Sequence, residues 1–287
     1  MDRIAITGAN GMAGRHMCAL LKEKNIPYLA LSRKEWDVRD WKKFDQLDSV
    51  FGSSAAVFHF AAQLPNNDSS TVDIFDANVR SCLNLAEWAL SRAVPLVFLS
   101  GATVYKDAHG KNITESDEKV VNGFGGFYGY SKLLAENIFE HFRNDGLKIV
   151  ILRPSSIYGY GLSNEKLIPS FIASASRGET ILISQPENRV NLIHAYDVAR
   201  AALTAYESNS WGVFNIGAES HSIIDIAEMA IKISGKGEVS LTDTDYDHKP
   251  FNRFDLDSSL AKASFDFQPV ISLQEGMELI SLCKENS

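Results

Sequence analysis

Cysteine, positive charge and long apolar runs are all scarce in this chain of 287 residues. Its three cysteines, Cys18, Cys82 and Cys283, lie far apart, and its seven histidines are scattered, so neither residue type has the spacing of a metal site. Asp and Glu outnumber Lys and Arg by 36 to 28, and the formal net charge of −8 argues against a nucleic-acid or anionic-membrane binder. No apolar run approaches the ~20 residues that span a bilayer, and the first residues lack the apolar stretch of a signal peptide. We therefore expect a cytoplasmic globular protein without a metal, a nucleic-acid partner or a membrane partner.

Short apolar runs alternate with helical patterns through the first half of the chain, from RIAIT at 3–7 to LKIVILRP at 147–154. Continuous apolar strands separated by helices indicate an α/β fold in which a doubly wound parallel sheet is covered on both faces. Beyond Pro154 the pattern changes to loops and shorter mixed elements. We predict one domain over residues 1–158, which also receives a helix at about 194–207, and a smaller mixed α/β lobe over most of 159–287. A cleft between the two is the expected ligand site.

A glycine-rich segment, TGANGMAG at 7–14, joins the first predicted strand to the first predicted helix. Glycines at 8, 11 and 14 allow a tight turn and bring backbone N–H groups close to a pyrophosphate, while the helix N-terminus adds a partial positive charge. Three glycines in a turn carry little information by themselves. Their position between a strand and a helix makes a dinucleotide site the favoured interpretation.

The residues at the end of the second strand bear on which dinucleotide is bound. An Asp or Glu at this point would accept hydrogen bonds from the adenosine ribose and favour NAD. The chain has Ser32 and Arg33 instead, and a guanidinium suits a 2′-phosphate because it binds phosphate through charge-assisted, bidentate hydrogen bonds. This pair favours NADP slightly. The alternative, in which Arg33 is a solvated surface residue, leaves NAD open.

Tyr128 and Lys132 begin a further predicted helix, and their spacing of four residues places both on one face. An ammonium close to the phenol should lower the pKa of Tyr128, so that the phenol exchanges protons nearer neutral pH. Such a pair is common by chance and could face solvent. Together with the dinucleotide motif and the preceding segment LSGATVY, it indicates a site of proton and hydride transfer.

With these motifs the chain resembles the extended short-chain dehydrogenases/reductases, which include nucleotide-sugar epimerases, dehydratases and 4-keto reductases. The resemblance runs in order from Ile4 to about Gly276, through TGANGMAG, WDVRD, FHFAA, DANV, YGYSK, LRPSSIYGYG, NLIHAYDVARA and FNIGAE. It implies a Rossmann domain in the first half. It also implies that the cofactor contacts are Gly8, Asn10, Gly11, Met12, Gly14, Ser32, Arg33, Asp37, Val38, Phe60, Ala61, Ala62, Asn78, Tyr128 and Lys132.

The resemblance further implies that Tyr128 is the acid/base acting on a sugar hydroxyl or ketone. Lys132 would lower the pKa of Tyr128 and hold the nicotinamide ribose. The family's second hydroxyl stands four residues before the Tyr of LSGATVY, and here that residue is Gly101. We assign its role to Thr103, because an extended segment directs alternate side chains to the same side, and we keep Ser100 in reserve.

Three further residues, Ser156, Arg189 and Arg253, match the family's substrate contacts. Ser156 stands where the family has Asn, which implies a shortened or lost contact. Arg189 and Arg253 stand where the family contacts the substrate's diphosphate or nucleoside, although either could form surface salt bridges instead. The Asp-Glu pair that dehydratases carry in the LSGATVY segment is absent, which disfavours elimination chemistry.

Three functions therefore stay open at this stage. An epimerase would retain NAD and return the hydride to the other face of the sugar, most often at C4, and it has a slight preference. A reductase would use fresh NADPH on a 4-keto sugar. A dinucleotide-sensing regulatory protein without catalysis is the alternative that Gly101 and Ser156 suggest. The resemblance also implies a homodimer formed by two helices of each subunit. The four tryptophans, Trp36 among them, are interpreted as packing residues.

Overall fold

The apolar runs of the first half form buried strands, as their composition predicts. The computed structural model describes residues 3–40, 46–66, 69–106, 112–121, 123, 125–242 and 254–285. Within these ranges the strands are β1 (Ile4–Thr7), β2 (Tyr28–Leu31), β3 (Ala56–His59), β4 (Leu96–Leu99), β5 (Asn112–Ile113), β6 (Ile149–Pro154), β7 (Ser156–Tyr158), β8 (Thr180–Ile183), β9 (Arg189–His194), β10 (Gly212–Ile216), β11 (Ser220–Ser222), β12 (Glu238–Leu241) and β13 (Asp255–Leu256).

The α-helices of the described residues alternate with these strands. They are α1 (Met12–Glu23), α2 (Leu47–Phe51), α3 (Thr71–Phe75), α4 (Ser81–Arg92), α5 (Gly126–Asn144), α6 (Leu167–Ser176), α7 (Ala195–Glu207), α8 (Ile223–Ser234), α9 (Ser259–Phe265) and α10 (Leu273–Glu285). A π-helical segment, Asp76–Arg80, joins α3 to α4. No helix of the described residues is long and apolar enough to cross a lipid bilayer.

A six-stranded sheet in the order β10-β6-β4-β3-β1-β2 forms the centre of the protein, and all of its strand pairs are parallel. This confirms the predicted doubly wound α/β fold. Residues 212–216, which fall in the range predicted to be mostly the lobe, form β10 and pair with β6 at the edge of this sheet. A five-residue strand is too short for its partner to be predicted from periodicity.

Two apolar layers cover the sheet. On one face α1 and α7 pack on residues such as Ile6, Phe58 and Val150. On the other face α4 and α5 pack on residues such as Val57 and Phe98. Removal of a Leu, Val or Phe side chain from water is worth about 1.5–3 kcal/mol, so the two layers stabilise the sheet.

The second half of the chain adds smaller sheets, ordered β11-β9-β7, β12-β8 and β13-β5. A separate apolar cluster joins α6, α8 and α10 to these strands. Because β1, β2, β3, β4 and β6 run parallel, their carboxyl ends meet at one edge of the central sheet. Ligands of open α/β sheets bind at this edge, and the predicted site residues follow these strand ends.

Candidate active site

The glycine-rich turn between β1 and α1 packs so closely against neighbouring backbone that two of its positions have no space for a side chain. Gly8 has a φ of +67°, and a Cβ on it would come within 2.7 Å of the backbone N of Ala61. A Cβ on Gly14 would lie 2.2 Å from the backbone O of Gly8. Gly11 caps α1 in extended geometry without a side-chain hydrogen bond among the described residues, so the first N–H groups of the helix remain available to an anion.

A cleft of about 600 Å³ opens at this edge of the sheet. It extends from the glycine-rich turn, past the end of β2, to the start of α5. It brings together most of the residues expected around a dinucleotide. Its lining consists of Gly8, Asn10, Gly11, Met12, Ala13, Gly14, Ser32, Arg33, Trp36, Asp37, Val38, Phe60, Ala61, Ala62, Leu64, Leu99, Ser100, Tyr128, Lys132 and Ile157.

Trp36 is a cleft residue that the sequence interpretation missed. It lines the cleft beside Asp37 and also packs edge-on against Phe51, with ring centroids 5.3 Å apart. Its interpretation as a packing residue therefore describes only one side of the ring. The available signal was its place in WDVRD, directly before the expected adenine contact. The Asp37 carboxylate is held by Arg39 at 2.6 Å, and hydrogen bonds from that side chain lower the pKa of Asp37.

Glu35 lies in the turn that follows β2 and is not one of the residues that line the cleft. The turn that follows β2 brings Glu35 back onto Ser32, where its carboxylate accepts hydrogen bonds from the Ser32 backbone N at 2.8 Å and from Ser32 Oγ. These hydrogen bonds lower the pKa of the exposed Glu35 carboxyl. The relation depends on the geometry of the turn, which the residue type at the strand end does not reveal.

Tyr128 and Lys132 lie one turn apart on α5 and both line the cleft, as their spacing predicts. Lys132 is buried, and its Nζ donates a hydrogen bond to the backbone O of Leu99 at 2.8 Å. The same atom lies 5.8 Å from the centre of the Tyr128 ring and 4.7 Å from that of Phe98. Burial lowers the pKa of Lys132 to about 8.

The expected depression of the Tyr128 pKa is wrong for this arrangement. Burial raises the pKa of Tyr128 to about 12, because the phenolate would lose its hydration. The Lys132 ammonium is directed at the Leu99 carbonyl and does not offset this loss. Tyr128 is therefore a neutral phenol at neutral pH, which is the protonation state of a proton donor.

The two candidates for the second hydroxyl differ in their surroundings. Ser100 lines the cleft, but its Oγ donates to the buried Glu136 carboxylate. Thr103 Oγ1 is buried and has no hydrogen-bond partner among the described residues. A Cβ on Gly101 would lie 3.5 Å from Thr103 Oγ1, so the Thr103 hydroxyl borders the space that a residue-101 side chain would fill.

A buried ion pair lies next to Ser100, whose hydroxyl bonds to one of its members. Arg153 on β6 and Glu136 on α5 are 2.6 Å apart, and each side chain is less than 5% exposed. Arg153 Nη1 also donates to the Tyr105 hydroxyl at 2.9 Å. The pair ties the helix that carries Tyr128 to the central sheet.

Asn78 lies behind the cleft wall and does not line the cavity. Its Oδ1 accepts from the backbone N of Gln63 at 2.8 Å, and its Nδ2 donates to the Gln63 carbonyl and to Ser131 Oγ. These bonds join the segment after β3 to α5. Asn78 thus positions the segment after β3 and α5 relative to each other, and its contact with a cofactor stays a prediction.

Of the three expected substrate contacts, the structure describes Ser156 and Arg189, and neither of them lines the cleft. Ser156 is exposed at the start of β7, while its neighbour Ile157 lines the cleft. Arg189 on β9 is half-buried, and its Nη2 donates to the backbone O of Ser220. Arg253 lies outside the described residues.

Comparison with known proteins identifies the family of the chain. Residues 4–217 match the model of the NAD dependent epimerase/dehydratase family. A dTDP-4-dehydro-6-deoxy-D-allose reductase of a Streptomyces species is 26% identical over 311 residues, covering 96% of this chain and 94% of the relative. The chain therefore belongs to the NAD dependent epimerase/dehydratase family, and it is an enzyme of the extended short-chain dehydrogenase/reductase type.

Solved structures share the fold along the whole chain. The UDP-N-acetylglucosamine 4-epimerase of Bacillus cereus superposes with a TM-score of 0.86 at 24% identity, covering 100% of this chain and 98% of that one. RMD of Pseudomonas aeruginosa, solved in complex with NADPH, gives a TM-score of 0.85 at 19% identity and covers 100% and 99%. The predicted Rossmann architecture is confirmed.

Proposed function

We propose that this enzyme transfers hydride between a nicotinamide dinucleotide and a ring carbon, C4, of a nucleotide-linked sugar. The observation that carries the proposal is the single cleft lined by the glycine-rich turn at one end and by Tyr128 and Lys132 at the other. Its curated relative named above acts on a dTDP-linked 4-dehydro sugar by name. The substrate class proposed here is therefore a nucleotide sugar.

The residues of the cleft fit NAD or NADP. Gly8 and Gly14 let the turn pack closely against neighbouring backbone, and the start of α1, which has no side-chain cap, provides N–H donors for a pyrophosphate. Ser32, Arg33, Asp37 and Val38 would hold the adenosine end, and Phe60 to Ala62 would border the nicotinamide side. When bound, the dinucleotide supplies or accepts the hydride.

In the reduction of a 4-keto sugar, Tyr128 and Lys132 would each act in the protonation state that they have at neutral pH. Tyr128, kept neutral by burial, would donate its proton to the C4 oxygen as the ketone becomes a hydroxyl. Lys132, whose pKa is about 8, would be mostly an ammonium at neutral pH and would hold the nicotinamide ribose. Thr103 would give the second hydrogen bond to the C4 oxygen through the space beside Gly101, with Ser100 as the alternative.

A C4 epimerase is the second candidate, and the full-length structural likeness to a 4-epimerase favours it. Epimerisation would begin with Tyr128 accepting a proton from the C4 hydroxyl and would end with Tyr128 returning it. The two reactions differ in the fate of the cofactor. Denaturing freshly purified protein and identifying the released nucleotide separates them: stoichiometric NAD supports the epimerase, and an empty protein that turns over added NADPH or NADH supports the reductase.

The remaining proposals concern the substrate and the assembly. Ser156, Arg189 and Arg253 are proposed to contact the nucleotide part of the substrate. A homodimer through α4 and α5 is proposed as well, and Leu83, an exposed leucine on α4 that is 38% accessible, supports it. Sedimentation equilibrium of wild type and of Leu83→Glu tests the dimer, since a charge in that interface should shift the protein toward monomer.

A further inference from the structure

Two histidine rings meet beside Gly159, in the loop that follows β7. A Cβ on this glycine would lie 3.2 Å from Nε2 of His16 on α1 and 3.1 Å from Nε2 of His194 at the end of β9. The two rings are nearly perpendicular, with centroids 5.1 Å apart. His194 is only 3% exposed, and neither Nε2 atom has a hydrogen-bond partner among the described residues. Two buried polar atoms from different elements therefore border one small space.

The other nitrogen of each ring determines which Nε2 atom is a donor. Nδ1 of His194 accepts a hydrogen bond from the backbone N of Tyr196 at 3.3 Å, so a neutral His194 carries its proton on Nε2. Burial lowers the pKa of His16, and a hydrogen bond to the backbone of Tyr160 opposes that shift. Only a bond donated by the imidazole has this effect, so Nδ1 of His16 carries the proton and Nε2 presents a lone pair. The two neutral rings are complementary, with a donor beside an acceptor.

Protonation of either ring would remove this match. A proton on Nε2 of His16 would place two N–H donors against each other. A proton on Nδ1 of His194 would break the bond from Tyr196 and put a positive charge at the N-terminus of α7, where the helix dipole disfavours it. Burial, together with the neighbouring His16, lowers the pKa of His194 to about 4.

The charged groups around the pair are already engaged by other donors. The ionisable side chains at this junction are Arg15 and Glu23 on α1, Tyr158 on β7, Tyr196 and Asp197 on α7, and Glu275 on α10. Glu23 accepts a hydrogen bond from the Tyr196 hydroxyl, Asp197 from Arg200, and Glu275 from the backbone N of Ser272. Arg15 is itself a cation, so it disfavours a second positive charge.

The loop that carries Gly159 also reaches the dinucleotide cleft. A Cβ on Gly161 would lie 4.0 Å from the Cα of Met12 and 3.5 Å from Nη1 of Arg15. Met12 begins α1 and lines the cleft. The Arg15 guanidinium lies 6.0 Å from the centre of the Tyr160 ring. The position of this loop on α1 therefore shapes the cleft wall at Met12.

We propose that His16 and His194 pair their Nε2 atoms beside Gly159, directly or through a water molecule, and so hold the loop after β7 on α1, and that protonation in mildly acidic solution releases the loop and weakens dinucleotide binding. The last part rests on the proposed function, whereas the histidine contact does not depend on it. A released His194 regains a pKa of about 6.5, so the released state binds the proton more tightly. Between pH 7 and pH 5 the equilibrium should therefore shift toward release by roughly twentyfold.

Amide hydrogen exchange followed by NMR tests the release without turnover. The reporters are the backbone N–H groups of Leu162, which donates to the Gly159 carbonyl, and of Tyr196. Ile151, which is fully buried in the central sheet, reports global unfolding. Protection factors, which correct for the intrinsic pH dependence of exchange, are measured at pH 7 and pH 5.

The variants remove the titration and keep hydrogen-bonding groups in place. In the double variant His16→Gln/His194→Asn, Asn retains an acceptor for the cap of α7 and Gln retains an acceptor near the Nε2 position, while neither side chain titrates. His141→Gln is the matched control, because His141 is an exposed histidine on α5. Circular dichroism confirms that each variant is folded.

Wild type and His141→Gln should lose about tenfold or more of their protection at Leu162 and Tyr196 between pH 7 and pH 5, and the double variant less than about twofold. Long-range ¹H–¹⁵N spectra of the wild-type imidazoles at pH 7 should show His16 protonated on Nδ1 and His194 on Nε2. Equal losses in wild type and the double variant, or the opposite tautomer of either ring, overturn the proposed contact. Protection at Leu162 equal to that of Ile151 overturns the release, because both would then exchange by global unfolding.

Titration with ADP-ribose at the same two pH values tests the link to the cleft. Wild type should bind it at least about twofold more weakly at pH 5 than at pH 7, and the double variant should bind it equally at both. A loss of protection without a change in affinity overturns the link between the loop and the cofactor. Failure of wild type and the double variant to bind ADP-ribose at either pH instead overturns the dinucleotide site and the proposed function, while the exchange data still decide the histidine contact.

Discussion

The hydroxyl of Thr103 lies 3.5 Å from the point at which a side chain on Gly101 would begin. The hydroxyl is buried and has no hydrogen-bond partner among the described residues, although buried polar groups are almost always bonded. A substrate oxygen held beside Gly101 would satisfy it. In this chain Gly101 stands where the family carries a Ser or Thr, so no side chain fills that position. The Thr103 hydroxyl borders the space.

Thr103→Val should lower kcat because valine keeps the shape of threonine and removes the hydroxyl. Loss of one such donor typically costs about 10²–10³-fold in rate. Gly101→Ser in the Thr103→Val background should restore part of the activity, since it returns a hydroxyl to the family's position. Steady-state kinetics with NADPH and a 4-keto nucleotide sugar measures both. A Thr103→Val enzyme with wild-type kcat would assign the role elsewhere, and Ser100→Ala is then the next variant.

Tyr128→Phe should abolish turnover and leave dinucleotide binding intact. Removal of a general acid typically costs about 10²–10⁴-fold, while the phenyl ring still fills the cleft wall. Calorimetric titration with NADPH checks the binding. A Tyr128→Phe protein that retains its biological effect in cells would support the dinucleotide sensor, because a sensor does not need the proton donor.

The stability of the protein should depend on Lys132 in alkaline solution. The pKa of Lys132 is lowered to about 8 in the folded protein, against about 10.4 in an unfolded chain. Between these values the unfolded state binds the proton more tightly, so the free energy of unfolding rises as the pH increases from about 8 to about 10.4. At pH 7 both states are charged and the burial penalty is fully present.

Lys132→Met, which carries no charge, should remove this pH dependence and be more stable than wild type at pH 7 by on the order of 1–3 kcal/mol. Urea denaturation of both proteins at several pH values measures the difference. It should narrow as the pH rises above 8. A difference that stays constant from pH 7 to 10 would show that the Lys132 proton is not coupled to folding.

The buried pair of Arg153 and Glu136 should be far more sensitive to mutation than an exposed pair of the same geometry. Arg153→Met leaves the Glu136 charge buried without its partner and should cost about 3–5 kcal/mol. The matched control is Arg177→Met, since Arg177 and Glu179 are also 2.6 Å apart but are exposed. An exposed pair is worth about 0–1 kcal/mol. Equal losses in the two variants would contradict the structural role given to Arg153.

Much of this site could be predicted from sequence because its parts are local. The glycine-rich turn, and Tyr128 with Lys132, are fixed by spacing within a single turn or helix, and the parallel sheet then brings them to one cleft. The contacts of Glu35 and Trp36 could not be predicted because they depend on how the turn after β2 folds back onto the end of that strand. The Tyr128 pKa was predicted in the wrong direction, since sequence spacing shows a nearby ammonium but not the burial of the phenol.

The most direct test of the proposed hydride transfer uses a cofactor that is deuterated at the transferring carbon. The enzyme is incubated with a dTDP-linked 4-keto-6-deoxyhexose and NADPH or NADH deuterated at nicotinamide C4, with Tyr128→Phe as control, and the sugar is examined by NMR. We expect stoichiometric cofactor oxidation and deuterium at sugar C4, with neither in the control. Deuterium at another sugar carbon, or no oxidation of a bound cofactor by any 4-keto nucleotide sugar, would contradict the proposed transfer.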